Sequence, residues 1–191
     1  DAEHAHYLEH GYYIFDHFLT DEALAMCRQH VDRMISELHP DCTPEEMISP
    51  HQIGERWVWE LGTESKLLDM IERQIGPNII LWSCQALAKP PHTGIEVRWH
   101  QDAPYWNISG NLAGAVWIPI DDVGEENGTM SILPDWHNKG VLPRKADDDS
   151  QKLFTQEIDP KALPDNIDEL KVRYDLKGGQ MATHDTMLPH H

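Results

Sequence analysis

A helical N-terminal layer followed by a β-rich body is the architecture this chain predicts. Three observations carry it. Two stretches before residue 78 space their apolar residues as helices do. After it, short apolar runs are broken by Gly, Pro, Asn and Asp. No internal repeat interrupts that texture. Many short strands with turn residues between them suggest a sandwich, a barrel or a jelly roll. The 191 residues suit one domain, with the helical layer over about 1–78 and the β core over about 79–191.

Each element has its own signal. "YYIFDHF" (Tyr12 to Phe18) alternates enough for a short strand. Thr20 is placed as a helix N-cap, with Asp21 and Glu22 in the first turn, where the helix dipole favours acid. Leu24, Cys27, Val31, Met34, Ile35 and Leu38 follow at helical spacing, and Pro40 ends the run. "HPDCTPEEMISPH" is a loop by its prolines. Trp57 and Trp59 alternate on a possible strand, as core or lid. A second helix from about Ser65 carries Leu67, Leu68, Ile71 and Ile75 on one face, and Gly76-Pro77-Asn78 stops it. "IILWSCQALA", "EVRWHQD", "LAGAVWIPI", "TMSILP" and "KVRYDL" are the strand-like runs. Asn127-Gly128 signals a hairpin turn, and "RKADDDSQK" a charged loop.

Composition excludes several partners. With 33 acidic and 15 basic residues the formal net charge is -18. That field repels nucleic acid and anionic membrane surfaces, so neither is an expected partner. No segment approaches the roughly 18 apolar residues of a membrane helix, and the polar opening "DAEHAHYLEH" is not a signal peptide. Cys27, Cys42 and Cys84 are odd in number and widely spaced, which gives neither a disulfide framework nor a Cys-x-x-Cys metal site. A reducing cytoplasm fits that usage.

The chemistry centres on "RWHQDAPYW" (Arg98 to Trp106). In a strand, residues i and i+2 share a face, so His100 and Asp102 project together and Gln101 points away. They supply one nitrogen and one oxygen ligand. His184, His190 and His191 in "GGQMATHDTMLPHH" are candidates for a third. Two histidines and a carboxylate form the facial triad of non-haem Fe(II) oxygenases, with open positions for a co-substrate and O₂. A solvated polar strand face is the alternative for the His-x-Asp pair alone.

The wider pattern resembles a known family. "LEHGYYIFDHFLTDEAL", "GPNIILWSCQALAKPP", "RWHQDAPYW", "AVWIPIDDVGEENGTMSILPDWH" and "GGQMATHDTMLPHH" run in the order seen in phytanoyl-CoA dioxygenase-like Fe(II)/2-oxoglutarate oxygenases, over nearly the whole chain. The resemblance implies a double-stranded β-helix, a jelly-roll, cupin-like form with helices on one side. It implies Fe(II), 2-oxoglutarate as co-substrate and O₂. It makes His100 and Asp102 the first two metal ligands. Eleven residues beyond Gly179 it places the distal ligand at His190, with His191 on the opposite strand face as the alternative. His184 shares the parity of His190 but is expected about 20 Å away along an extended strand.

Further roles follow from the same resemblance. Lys89 in "KPP" and Trp117 in "AVWIPI" correspond to family residues at the 2-oxoglutarate site; a surface lysine and plain core packing are the competing readings. Tyr105 and Trp106 could wall a substrate cavity, and Arg56 and Arg98 are possible anion contacts. The expected activity is hydroxylation or another oxidation of a C–H bond in a small molecule, with release of succinate and CO₂. Many relatives act in natural product biosynthesis. Asp102 disfavours a halogenase, whose halide takes the carboxylate's place. A non-catalytic jelly-roll binding module and a metal-dependent hydrolase or isomerase are the rivals. The family's arginine for the far carboxylate of 2-oxoglutarate lies beyond the distal histidine. The natural protein is therefore expected to continue past His191, with strands that close the barrel.

Overall fold

The computed structural model describes residues 2–46, 54–92, 94–106, 113–146 and 156–191. Helix α1 (Ala2–His10) leads into strand β1 (Tyr12–Phe15). Helix α2 (Asp21–Ser36) starts at Thr20, whose hydroxyl accepts the Ala23 N–H at 3.2 Å. Helices α3 (Arg56–Gly62) and α4 (Ser65–Ile75) follow. Glu64 caps α4 by accepting the Leu67 N–H, and Gly76 ends it at a φ of 88° that few side chains tolerate. Leu67 and Ile71 of α4 bury against Phe15, Phe18 and Met181. Burial of each such side chain contributes roughly 1.5–3 kcal/mol.

The β body has two layers. In the first, β7 (Met181–Asp185) lies between β1 and β2 (Gly114–Trp117), antiparallel to both, with His184 opposite Tyr12 on one side and Ala115 on the other. The second is built largely of single bridges. His100 pairs with His190, His190 pairs with Ile132, and β3 (Ser131–Ile132) pairs with β6 (Val172–Arg173). Strands β4 (Arg144–Ala146) and β5 (Gln156–Ile158) form a ribbon whose Ile158 N–H reaches the Trp99 carbonyl at 2.8 Å. Ile132, Tyr174, Leu176, Ala182 and Leu188 pack between the layers with Tyr12, Trp117 and Val123. Short helices α5 (Ala103–Trp106) and α6 (Ile167–Leu170) sit on connections.

Several expectations need correction. Strand β1 belongs to the first β layer although it lies within the stretch assigned to helices. Trp57 and Trp59 are on α3 rather than a strand; Trp57 stacks on His30 at 5.2 Å, with the rings 6° from parallel. "IILWSCQALA" forms no strand and joins no ladder among the described residues, and "EVRWHQD" joins one only at His100. Asn127-Gly128 does not close a hairpin. It ends a 3₁₀ turn with Gly128 left-handed, while β2 and β3 lie in different layers. Arg144–Ala146, expected in a loop, is strand β4; residues 147–152 of that stretch lie outside the described residues.

Candidate metal centre

The centre forms where the two layers meet. After β7 the chain turns at Asp185–Leu188, with the Leu188 N–H on the Asp185 carbonyl and the Met187 N–H on the Asp185 carboxylate. This turn carries the chain from the first layer to the second and brings His190 alongside His100. Each donates its N–H to the other's carbonyl, at 2.9 and 3.0 Å. Asp102 follows His100 at the start of α5, where the Ala103 N–H reaches the Thr186 carbonyl. Gln101 points elsewhere. Its amide donates to the Gly140 and Met187 carbonyls and accepts the Leu142 N–H, so it braces the ligand strand against the turn.

The imidazoles are oriented by backbone. His100 Nδ1 donates to the Arg98 carbonyl at 2.8 Å, and His190 Nδ1 to the Leu188 carbonyl at 2.9 Å. A carbonyl only accepts, so each Nδ1 carries the proton and each Nε2 presents a lone pair. Asp102 Oδ1 lies 3.7 Å from His100 Nε2 and 3.6 Å from His190 Nε2. The three donor atoms all lie within 4.8 Å of one another. Three lone-pair donors converging in a buried place, with both imidazole protons already committed to carbonyls, fit a divalent cation and nothing that only accepts.

Protonation states agree with that fit. Burial pushes the His190 pKa down to about 3, helped by His100 and opposed by Asp102. Burial also lowers His100, against the pull of Asp102. Burial alone would raise Asp102, but the His190, His184 and His100 imidazoles outweigh it and hold the carboxyl well below its ordinary value. Two neutral imidazoles and one carboxylate are the protonation states a metal needs.

The other sequence candidates are placed as follows. His191 packs on Trp99 at 4.3 Å between ring centroids, away from the donor set. His184 is not 20 Å off. The turn folds His190 back, so the two rings lie 4.6 Å apart and His184 Nε2 is 3.7 Å from Asp102 Oδ2. Trp117 stacks on Tyr174 in the core between the layers. Lys89 is exposed, its chain lying over Gly128. Tyr105 stands edge-on to His100 at 6.3 Å. Arg98 pairs with Glu157 and Glu96, and Arg56 with Glu60.

Fold and donor set together define the class: a double-stranded β-helix with a buried His–Asp–His cluster. The family model described as phytanoyl-CoA dioxygenase (PhyH) matches residues 7–191, and the chain belongs to that family. Among curated proteins it is similar to an L-proline trans-4-hydroxylase of Streptomyces griseoviridis, 24% identical over 69% of this chain and 53% of that one. It is also similar to a probable alpha-ketoglutarate-dependent hypophosphite dioxygenase of Stutzerimonas stutzeri, 33% identical over 42% of this chain and 28% of that one. The chain thus spans about half the length of the first relative and less of the second. Among solved structures, the non-heme monooxygenase ThoJ superposes with a TM-score of 0.75 at 23% identity, over 98% of this chain and 69% of that one. EvdO2 of Micromonospora carbonacea var. aurantiaca, complexed with 2-oxoglutarate, gives 0.72 at 19%, over 99% and 82%. These likenesses show the fold.

Proposed function

We propose that the chain is a non-haem Fe(II)/2-oxoglutarate-dependent dioxygenase that oxidises a C–H bond of a small molecule, with succinate and CO₂ as co-products. The observation that carries the reading is that His100, Asp102 and His190 each bring a ligand atom within 4.8 Å of the others, with Asp102 Oδ1 at 3.7 and 3.6 Å from the two Nε2 atoms. These three would hold Fe(II). Bound there with 2-oxoglutarate and O₂, the metal supplies oxygen chemistry that side chains lack. The protein's part is geometry. The Arg98 and Leu188 carbonyls fix the two rings, the Gln101 brace holds the strand to the turn, and burial keeps both imidazoles neutral. A donor set of charge -1 would leave a bound divalent ion net positive and so able to hold an anionic co-substrate within an otherwise acidic chain.

Lys89 is proposed to lie near the 2-oxoglutarate site, and Trp117 to wall its pocket. A small-molecule substrate is supported by the relatives named for proline and hypophosphite. Free thiols at Cys27, Cys42 and Cys84 suit a cytoplasmic setting. No helix among the described residues is long and apolar enough to cross a membrane.

The test combines binding and turnover. Adding 2-oxoglutarate without oxygen to the Fe(II)-loaded chain should produce a weak visible charge-transfer band. Succinate should form in air, and a panel of amino acids, hypophosphite and natural-product intermediates should yield one product heavier by an oxygen atom. Lys89→Met should raise the 2-oxoglutarate concentration needed. A chain that binds one Fe(II) yet gives neither band nor succinate would contradict the reading.

A further inference from the structure

His184 is the unexplained group beside this cluster. Its side chain is buried, and neither ring nitrogen has a hydrogen-bond partner among the described residues. A buried imidazole left in that state is unfavourable unless something uses it. Its backbone sits on the central strand of the first layer, paired on both sides to Tyr12 and Ala115, so its position is rigid. Asp102 sits on a connection at the start of a four-residue helix.

The geometry separates His184 from the donors. Both His100 and His190 aim Nε2 at Asp102 Oδ1, whereas His184 aims Nε2 at the other oxygen, Oδ2, at 3.7 Å. His184 also stands outside the set of atoms lying within 4.8 Å of one another. The carboxylate thus has one oxygen facing two lone pairs and one facing a ring that can carry a proton on Nε2. The gap is about half an ångström beyond hydrogen-bond length. A small rotation of Asp102, as its Oδ1 engages a cation, can close it.

We infer that His184 is a positioning residue that donates Nε2–H to Asp102 Oδ2 and holds the carboxylate to one-oxygen coordination. This inference rests on the proposed metal site. It assigns a role to a side chain outside the His–Asp–His set: keeping Oδ2 off the metal preserves a coordination position for the co-substrate or O₂.

The experiment measures Co(II) affinity of the full chain by anaerobic titration in wild type, His184→Phe and His184→Gln. Phenylalanine fills the volume without a donor; glutamine returns an N–H at similar reach. Loss of an outer partner of a ligand typically weakens metal binding about 10–100-fold, so that loss is expected for His184→Phe, with substantial recovery in His184→Gln. His184→Leu replaces the phenylalanine variant if that fails to fold. In the Cu(II) form, spin-echo spectroscopy of wild type should count two coordinated imidazoles. Equal affinity in wild type and His184→Phe would overturn the inference, as would a glutamine variant as weak as phenylalanine. Three coordinated imidazoles would overturn it by making His184 a ligand. A wild type that binds no metal would instead contradict the proposed function itself.

Discussion

The segment from Asn78 to Arg98 carries strand-like runs in sequence and the segment from Thr183 to His191 the candidate histidines, and the two end in opposite states. The later one is buried and bonded along its length. His190 is bridged on both edges, to His100 and Ile132, and its turn is tied by Asp185, Gln101 and Ala103. The earlier one joins no ladder among the described residues and leaves Ile80 84% and Trp82 56% exposed. The difference teaches that an apolar run becomes a strand only where neighbours receive its N–H and C=O groups. The candidate site lies in the region where those groups are satisfied, and rigidity there is what aims three side chains at one point.

The largest effect should come from cutting the brace inside the bonded region. Gln101→Leu leaves the Met187 and Gly140 carbonyls and the Leu142 N–H without their partner. An orphaned buried group costs about 1–3 kcal/mol, and the Leu142 N–H is buried while the two carbonyls are half-buried, so a loss of about 2–4 kcal/mol is expected in urea unfolding. A loss under about 1 kcal/mol would mean the brace is not what holds the turn.

Acid should act on the same region, with a smaller effect per unit. The unfolded chain's imidazoles take up protons near pH 6.5, while burial keeps His190 neutral down to about 3 and lowers His100 as well. The unfolded state therefore binds more protons, and the stability of the metal-free protein should fall as pH drops below about 6.5. The slope approaches about 1.4 kcal/mol per pH unit for each such group. Asp102 adds to this only at lower pH, because its depressed pKa contributes in full above 3.8 and is lost below it. A flat unfolding midpoint between pH 7 and pH 5 would contradict the buried neutral imidazoles.

The smallest effect belongs to the unbonded region. Trp82→Ser removes an exposed side chain and should change stability by less than about 0.5 kcal/mol. A larger loss would mean that this segment is covered in solution, and the contrast between the two regions would shrink.

Much of the site was legible because its logic is local. The spacing of His100 and Asp102 would put both on one face of a strand; here only His100 is bridged and Asp102 sits at the bend before α5, yet the two still meet, and Gln101 points away. The choice of His190 rested on family resemblance, since spacing alone left three histidines open. His184 was misplaced because the rise of a continuous strand was carried past Asp185. The Asp185 carboxylate that caps the turn, and Pro189 beyond it, were the available warnings. At α3 the alternation of the tryptophans mimics a strand, and at β4 the run of charge mimics a loop. Helices α2 and α4 were legible from cap and period. The bridges that make the second layer join residues far apart in sequence, so no local signal announces them.

The most direct measurement is anaerobic Fe(II) titration of the metal-free chain and of His100→Ala, Asp102→Ala, His190→Ala and His191→Ala, each checked for a folded melting transition. Wild type and His191→Ala should bind one Fe(II) per chain, while the other three variants should lose that site. Unchanged stoichiometry and affinity in folded Asp102→Ala or His190→Ala would contradict the proposal that these residues hold the metal.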